Sequence, residues 1–319
     1  MTLDPLPTRY PAALRPGDTV ALVAPSGPVR EERVAEAVEL LTGWGYVVAP
    51  AVDVHARHGF LAGTDAQRLA GLNAALADPV VRGVVCARGG YGAQRIVDGV
   101  DLDAVRDDPK LVVGFSDITA LHLALWRGAR LATLHGPVAT QLTAEFAASS
   151  VASLRAALVS DRPVVLAADP LADTGPLAVP GAPVTGTLLG GNLCLIASSI
   201  GTRDQPDLRG AVLLLEEVDE PPYKVDRMLT QLRRAGALDG VVGFAVGQFT
   251  RCADEWPMSI VDVLLDRLGD LGVPVLGGLP IGHGPGALTV PHGVPATLDV
   301  AAGTLTARAA VVCQRAGGA

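Results

Sequence analysis

The amino-acid sequence predicts an α/β protein, with a Rossmann-like N-terminal domain on a parallel sheet and a smaller, mixed α+β C-terminal domain. In the first half, short apolar segments alternate with segments of helical period, which is typical of a parallel sheet covered on both faces. Repeated Pro and Gly interrupt this pattern between 161 and 185, and short strands with Gly and Pro turns follow. We therefore predict domains over 1–160 and 186–319, joined by a linker over 161–185.

The N-terminal elements follow from periodicity and turn residues. The first strand, Thr19–Ala24, ends at Pro25, and the helix after it places Val34, Ala37 and Leu41 on one face. Thr64 is the predicted N-cap of a helix that runs from Asp65 to Asp78. The other predicted elements are strands at Tyr46–Ala49, Val80–Ala87 and Leu111–Phe115, and a helix at Asp117–Trp126.

The C-terminal elements are predicted in the same way. An apolar helix begins after Gly190, Gly191 and Asn192, and a second helix spans about Lys224–Arg234. Strands are predicted at Thr187–Leu189, Ala211–Leu215, Val241–Val246, Val275–Gly278, Thr297–Val300 and Thr304–Val311.

Composition excludes several classes of protein. The chain has 319 residues and 49% hydrophobic residues, which excludes disorder, and its net charge of −8 with scattered Lys and Arg argues against a nucleic-acid partner. The four cysteines form no CxxC pair, so we expect buried free thiols and no metal site. No apolar run is long enough to span a membrane, and Met1–Pro7 lacks the basic and apolar regions of a signal peptide. The expected location is the cytoplasm.

Ser116 lies where the apolar strand Leu111–Phe115 ends and the next helix begins, with almost no loop between them. Such a turn projects a side chain from the carboxyl edge of the sheet, where ligands bind in α/β folds. It also places backbone N–H groups at a helix N-terminus, where an oxyanion is stabilised. The pattern suits a serine nucleophile and a simple N-cap equally well, and Ile118 departs from the lipase-type G-x-S-x-G motif.

A serine nucleophile needs a base and a residue that orients the base. His283 lies between Gly282 and Gly284, which suits a loop that presents an imidazole, and Glu216 directly follows three leucines, where a carboxylate needs a partner. The adjacent Glu217 is expected to face solvent. The other histidines are interpreted as packing or surface residues, His122 on the helix after Ser116 and His55 and His58 in a polar loop.

The glycine-rich segment Arg88–Gly92 follows the strand Val80–Ala87. It lacks the spacing of a dinucleotide or Walker motif, so it is a weak phosphate site. A backbone N–H from this loop could instead contribute to an oxyanion hole.

Taken in order, these segments resemble the LD-carboxypeptidase family of serine peptidases, which also includes the microcin C immunity peptidases. The family usually has Tyr where this chain has Phe115. The corresponding segments cover nearly the whole chain and are Arg15–Asp18, Ala24–Ser26, Arg88–Gly92, Gly114–Thr119, His135–Pro137, Gly190–Leu193, Leu215–Glu217, Tyr223–Leu229, Gly282–His283, Pro291 and Gly293.

The resemblance implies a triad of Ser116, Glu216 and His283 shared across the cleft between the two domains. It also implies an oxyanion hole formed by the backbone N–H groups of Asp117 and Gly90, a homodimer, and no metal or organic cofactor. The implied substrate is a murein tetrapeptide from peptidoglycan recycling. The cleaved L,D-amide bond joins meso-diaminopimelate or lysine to the terminal D-alanine, which is released.

The carboxylate next to that bond needs a cationic or amide partner. Arg88 and Arg227 are the predicted binding residues, although Arg227 would also suit a salt bridge on its own helix.

Two other functions stay open. One is an amidase of the same family that cleaves an acyl-sulfamoyl-nucleotide. The other is a non-catalytic protein whose Arg88–Gly92 loop holds an anionic ligand. Tryptophans are few (Trp44, Trp126 and Trp256), and none lies just after the linker, which favours the muropeptide.

Overall fold

The computed structural model describes residues 7–51, 53–143, 146–253 and 257–313. The segment Met1–Leu6, which carries most of the signal-peptide argument, and Trp256 lie outside the described residues.

Five strands of the first half of the chain and one short strand of the second half, β12 (Val290–His292), form a six-stranded sheet with strand order β12-β5-β4-β3-β1-β2. Its strands β1 to β5 pair in parallel, as predicted, with helices between them. In chain order these elements are β1 (Thr19–Val23), α1 (Glu31–Gly43), β2 (Val47–Pro50), α2 (Asp65–Ala77), β3 (Val81–Cys86), α3 (Leu102–Asp107), β4 (Leu111–Gly114), α4 (Thr119–Ala129), β5 (Thr133–His135) and α5 (Ala148–Val159).

The second half forms an eight-stranded mixed sheet with strand order β6-β14-β13-β8-β9-β10-β11-β7. The strands from β8 to β11 are parallel, and the outer strands pair antiparallel. The elements are β6 (Val164–Ala167), β7 (Ala178–Val179), β8 (Val184–Asn192), α6 (Leu193–Ser198), β9 (Ala211–Val218), α7 (Pro222–Arg234), β10 (Gly243–Thr250), α8 (Ile260–Leu268), β11 (Val275–Leu276), β12 (Val290–His292), β13 (Val294–Asp299) and β14 (Thr304–Ala307).

The α/β fold class with two sheets is confirmed, and three details differ from the prediction. The strand β12 returns to the first sheet and pairs antiparallel with β5, so the C-terminal half completes the N-terminal sheet. The predicted linker contains β6 and β7, both of which join the second sheet. The helix predicted to begin at Asp117 begins as a 3₁₀ turn, Ser116–Ile118, before α4. The exact domain boundaries stay a prediction.

One hydrophobic core joins the two sheets. Leu22 and Leu134 of the first sheet and Leu188, Leu214 and Leu305 of the second are buried in the same cluster. Burial of such side chains contributes about 1.5–3 kcal/mol each. The sheets are therefore held in a fixed relation, which fixes the cleft at their carboxyl edges.

The cysteines are free, as predicted, but not all are buried. Cys86 and Cys252 are buried, Cys194 is half-buried and Cys313 is exposed. Burial raises the pKa of the Cys86 thiol to about 12, so this residue is an inert core side chain. Within the described ranges, no helix is both long and apolar enough to cross a bilayer.

The N-cap of α2 provides a test of local stability. The Thr64 hydroxyl accepts a hydrogen bond from the Gln67 N–H at 3.2 Å, and the Gln67 side chain accepts one from the Thr64 N–H at 2.9 Å. Thr64→Ala leaves an N–H at the helix start without its partner, and we expect the free energy of unfolding to fall by about 1 kcal/mol. Urea titration followed by circular dichroism measures the loss. The control Thr64→Ser keeps the hydroxyl, and an equal loss in both variants would assign the effect to something other than the cap.

Candidate active site

Ser116 has a left-handed backbone conformation, with φ of +64°. This region costs an L-residue about 1 kcal/mol or more, so surrounding contacts must hold the residue there. Gly114 allows the turn, because a Cβ on Gly114 would lie 2.8 Å from Cγ2 of Ile118. The residue preceding α4 is Ile118, and the Ser116 side chain makes no capping hydrogen bond in the described part of the chain. Capping as an explanation for Ser116 is therefore wrong.

The glycine loop after β3 packs directly on Ser116. A Cβ on Gly89 would lie 2.9 Å from the Ser116 Cβ and 3.2 Å from its Oγ, so only glycine fits there. The Gly89 carbonyl accepts a hydrogen bond from the Gly27 N–H at 3.0 Å. Gly90 has φ of +109°, and its N–H has no hydrogen-bond partner among the described residues.

Two buried charged side chains hold this loop, and the sequence analysis assigned neither role. Asp117 Oδ2 accepts a hydrogen bond from the Ala93 N–H at 2.8 Å, and burial raises the pKa of this carboxyl. The Arg68 guanidinium, buried at 3% exposure, donates to the carbonyls of Gly92 and Pro25. Arg68 and the buried Leu72 lie on the same face of α2. Because a buried charge is costly unless it is paired, a charged residue on this face indicates that it has hydrogen-bond partners.

Glu216 and His283 form a hydrogen bond, as the sequence analysis predicted for the pair. His283 Nδ1 lies 2.6 Å from Glu216 Oε2, and the Glu216 side chain is fully buried. Gly282 has φ of +121°, and a Cβ there would lie 2.8 Å from the Glu216 Oε2. The Gly284 N–H donates to Oε1 of Gln248 at 2.9 Å, which fixes the other side of the histidine loop.

The structure brings the His283 ring next to the nucleophile segment. The ring centroids of His283 and Phe115, the residue before Ser116, are 4.6 Å apart. No hydrogen bond joins Ser116 to His283 in the residues that the structure describes. Such contacts are often long before substrate binds and tighten in the complex.

A small cavity of about 20 Å³ adjoins this pair, lined by Phe115, Gly136, Gln141, Gly282 and Gly284 among others. The cavity lies between the segment before Ser116 and the loop that carries His283, and it has room for a water molecule or a small group.

Glu217 does not face solvent, so that expectation is wrong. The residue is only 2% exposed, and its carboxylate accepts hydrogen bonds from Asn192 Nδ2 at 2.6 Å and from the Cys194 N–H at 2.8 Å. Burial raises its pKa to about 7, helped by the neighbouring Glu216. The Asn192 N–H in turn donates to the Thr119 hydroxyl at 3.1 Å, so Glu217 braces the contact between the two domains.

Three buried histidines lie near the end of β4, the strand that precedes Ser116. His122 Nε2 hydrogen-bonds the Gly114 carbonyl at 2.8 Å, and its ring stacks on His292 at 5.5 Å. His135 lies next to His122, and burial lowers the pKa of all three rings. Across the described ranges, no group of three or more His, Cys, Asp or Glu side chains could hold a metal ion.

The two arginines predicted to bind substrate differ in position. Arg88 is exposed, precedes Gly89 and donates to the Pro28 carbonyl at 2.8 Å. Arg227 is exposed on α7, where its guanidinium lies 5.4 Å from the Tyr223 ring centroid. In the described part of the molecule Arg227 makes no salt bridge on its helix and no hydrogen bond to Ser116, Glu216 or His283.

The fold and this site are those of a two-domain α/β hydrolytic enzyme of the peptidase class. The family models of the LD-carboxypeptidase N-terminal and C-terminal domains match residues 20–136 and 185–298. The chain belongs to the LD-carboxypeptidase family.

Relatives of known structure or name agree with this assignment. A Bacillus subtilis protein named "Probable murein peptide carboxypeptidase" is 37% identical over 306 residues, 94% of this chain and 95% of that one. The crystal structure of muramoyltetrapeptide carboxypeptidase from Oxalobacter formigenes is 29% identical, with a TM-score of 0.80 over 91% of this chain and 97% of that one. An MccF-like protein from Bacillus anthracis shares the fold, with a TM-score of 0.85 at 23% identity over 95% of this chain and 100% of that one.

The raised pKa of Glu217 predicts a specific pH dependence of stability. The folded protein binds the Glu217 proton up to about pH 7, whereas the unfolded chain releases it near the ordinary value of 4.5. The stabilisation from this proton is complete below pH 4.5 and is lost as pH rises to about 7, with a slope of up to about 1.4 kcal/mol per unit. In Glu217→Gln, which does not titrate at this position, we expect the slope to become shallower by the Glu217 contribution, while the contribution of other buried groups such as Asp117 remains.

Urea titrations of the parent and of Glu217→Gln between pH 4 and 8 measure the two slopes. Glu39→Gln, on the exposed face of α1, is the matched control and keeps the parent slope. Equal slopes in all three proteins would contradict the role assigned to burial of Glu217.

Proposed function

We propose that this protein is a serine carboxypeptidase that releases the terminal D-alanine from a murein tetrapeptide by cleaving its L,D-amide bond. The observation that carries the proposal is the hydrogen bond of 2.6 Å between His283 Nδ1 and the buried Glu216, on a loop next to the left-handed Ser116. The names of the relatives, which specify murein peptides, support the choice of substrate.

In the proposed reaction, Glu216 fixes the His283 tautomer that leaves Nε2 free to take the Ser116 proton. The Ser116 oxygen then attacks the scissile carbonyl. His283 protonates the leaving amine of D-alanine, and water hydrolyses the acyl-enzyme with His283 again as the base. The close packing of Gly89 on Ser116 holds the left-handed turn in place, so little backbone reorganisation precedes the attack.

We assign the oxyanion hole to the backbone N–H groups of Gly90 and Asp117. The Gly90 N–H has no partner among the described residues, and its loop packs on Ser116 through Gly89. Each such donor contributes about 3–4 kcal/mol to transition-state stabilisation. The hydrogen bond from Ala93 to the Asp117 carboxylate, together with Arg68, supports a fixed distance between the two donors.

The substrate's carboxylate is assigned to Arg88 or Arg227. Arg88 is better supported, because it is adjacent to the glycine that packs on Ser116. Arg227 lies on α7 in the second domain, with its guanidinium group over the Tyr223 ring. Its link to the site rests on the family resemblance.

We also propose that the protein acts in the cytoplasm as a homodimer. The four free thiols suit a reducing compartment, and the dimer follows from the family resemblance. Light scattering of the purified protein is expected to give twice the monomer mass, and fractionation of cells is expected to place the protein in the soluble cytoplasmic fraction. A monomer at micromolar concentration, or a membrane-bound or secreted protein, would contradict this part of the proposal.

Substitution of Ser116 separates catalysis from stability. We expect Ser116→Ala and Ser116→Gly to lower the rate of D-alanine release by about 10⁴-fold or more. Because glycine relieves the left-handed strain, Ser116→Gly is expected to be about 0.5–1 kcal/mol more stable than Ser116→Ala. The rate is measured by detecting D-alanine, and stability by thermal unfolding.

Ser259→Ala is the matched control, because Ser259 is the N-cap serine of α8 and lies outside the site. It should lose about 1 kcal/mol of stability and retain activity. Release of D-alanine by Ser116→Ala at the parent rate would show that Ser116 is not the nucleophile.

A further inference from the structure

A second cavity lies at the carboxyl edge of the first sheet, next to the glycine loop. Its volume is about 210 Å³, and three of its six lining residues are arginines. The lining residues are Pro28, Val29, Arg30, Arg33, Arg88 and Thr140. We refer to it as the arginine cavity.

The arginine cavity is lined by three positively charged side chains. Arg30 is exposed, and in the described residues its guanidinium makes no hydrogen bond or ion pair, not even with the neighbouring Glu31 and Glu32. One guanidinium nitrogen of Arg88 donates to the Pro28 carbonyl, and its other N–H groups have no partner among the described residues. Arg33 pairs with Glu36 at 3.1 Å. Three guanidinium groups therefore line one cavity in a chain whose net charge is −8.

The surrounding backbone adds to this charge. Arg30 is the residue before the first turn of the 13-residue helix α1, so the positive end of the helix dipole points at the same place. Thr140 also lines the cavity, and its N–H donates to the Ala87 carbonyl at 2.9 Å.

The arginine cavity and the candidate active site are lined by residues from the same two chain segments. Arg88 is followed by Gly89, which packs on Ser116. Thr140 is followed by Gln141, which lines the small cavity beside Phe115 and Gly282. A substrate extended from Ser116 along the glycine loop would therefore reach the arginines.

We propose that the arginine cavity binds a carboxylate of the peptide substrate and makes the enzyme specific for anionic stem peptides. The proposal rests on the function proposed above. A guanidinium group binds a carboxylate through paired, charge-assisted hydrogen bonds, and a cavity that offers several of them suits this ligand. Two carboxylates could occupy it: that of the terminal D-alanine, and that of the diaminopimelate side chain, which a lysine-type peptide lacks.

The test substitutes Arg30, whose guanidinium makes no hydrogen bond or ion pair within the described residues. Arg30→Gln is expected to raise KM about 10- to 100-fold for a diaminopimelate-type tetrapeptide, with a much smaller change in kcat. Arg234→Gln, an exposed arginine of α7 on the second domain, is the matched control and should keep the parent KM.

Two further substrates identify the carboxylate. If the cavity binds the side-chain carboxylate, Arg30→Gln and the parent have the same KM for a lysine-type tetrapeptide. If it binds the terminal carboxylate, the two proteins have the same KM for a tetrapeptide ending in D-alaninamide. A KM that is within twofold of the parent for all three substrates would overturn the proposal.

A binding measurement keeps this test separate from the proposed reaction. Calorimetry with the tetrapeptide compares Ser116→Ala with Ser116→Ala/Arg30→Gln, neither of which needs to turn over substrate. We expect about 10-fold or greater weakening in the double variant and a marked dependence on salt. Equal affinities would overturn the arginine cavity as a subsite, whereas binding without any turnover in the parent protein would overturn only the proposed reaction.

Discussion

The buried hydrogen bond between Glu216 and His283 constrains the rest of the site. A carboxylate with no exposed surface is costly unless it is paired, and its second oxygen, Oε1, has no partner within the described part of the chain. The bond to His283 therefore cannot be given up without leaving a buried charge. Because the approach leaves no room for a Cβ, position 282 must be glycine. The end of β9 and the histidine loop are thus fixed to each other before any substrate arrives.

The segment that carries Ser116 is constrained by a separate set of contacts. Ser116 occupies an unfavourable backbone region, and its neighbours are either glycines that permit close contact or buried charges that hold the glycine loop. Asp117 and Arg68 reach the loop from two different helical segments. Strain at one residue is stable here because these contacts over-determine the turn.

The two constrained halves are aligned by the way the domains interlock. The strand β12 belongs by sequence to the C-terminal half and by hydrogen bonding to the N-terminal sheet. At the end of this strand, His292 Nε2 accepts a hydrogen bond from the Gly190 N–H. Glu217 also binds Asn192, whose N–H donates to the Thr119 hydroxyl. Relative movement of the domains would break these buried contacts together. We infer that the spacing between Ser116 and His283 is set by the fold and not by a hinge.

How much of this could be predicted depends on how local each signal is. The strands β1 to β4 and β8 to β11, the helices α1, α2, α4, α6 and α7, and the turn at Ser116 follow from periodicity over a few residues and were predicted, whereas α3, α5, α8 and the strands β5 to β7 were not. The prediction that Glu217 faces solvent was wrong because β9 continues past the leucines. Both carboxylates are therefore enclosed by neighbouring strands and by a turn that no local pattern predicts. The strand β12 has only three residues and pairs with a segment about 150 positions earlier, too short for any periodicity. Arg30 and Arg33 belong to no sequence motif. They form a cavity only together with Arg88, which follows two intervening strands in the chain. The sequence thus pointed to the candidate catalytic residues at element ends, whereas the residues that hold them became visible only in the tertiary contacts.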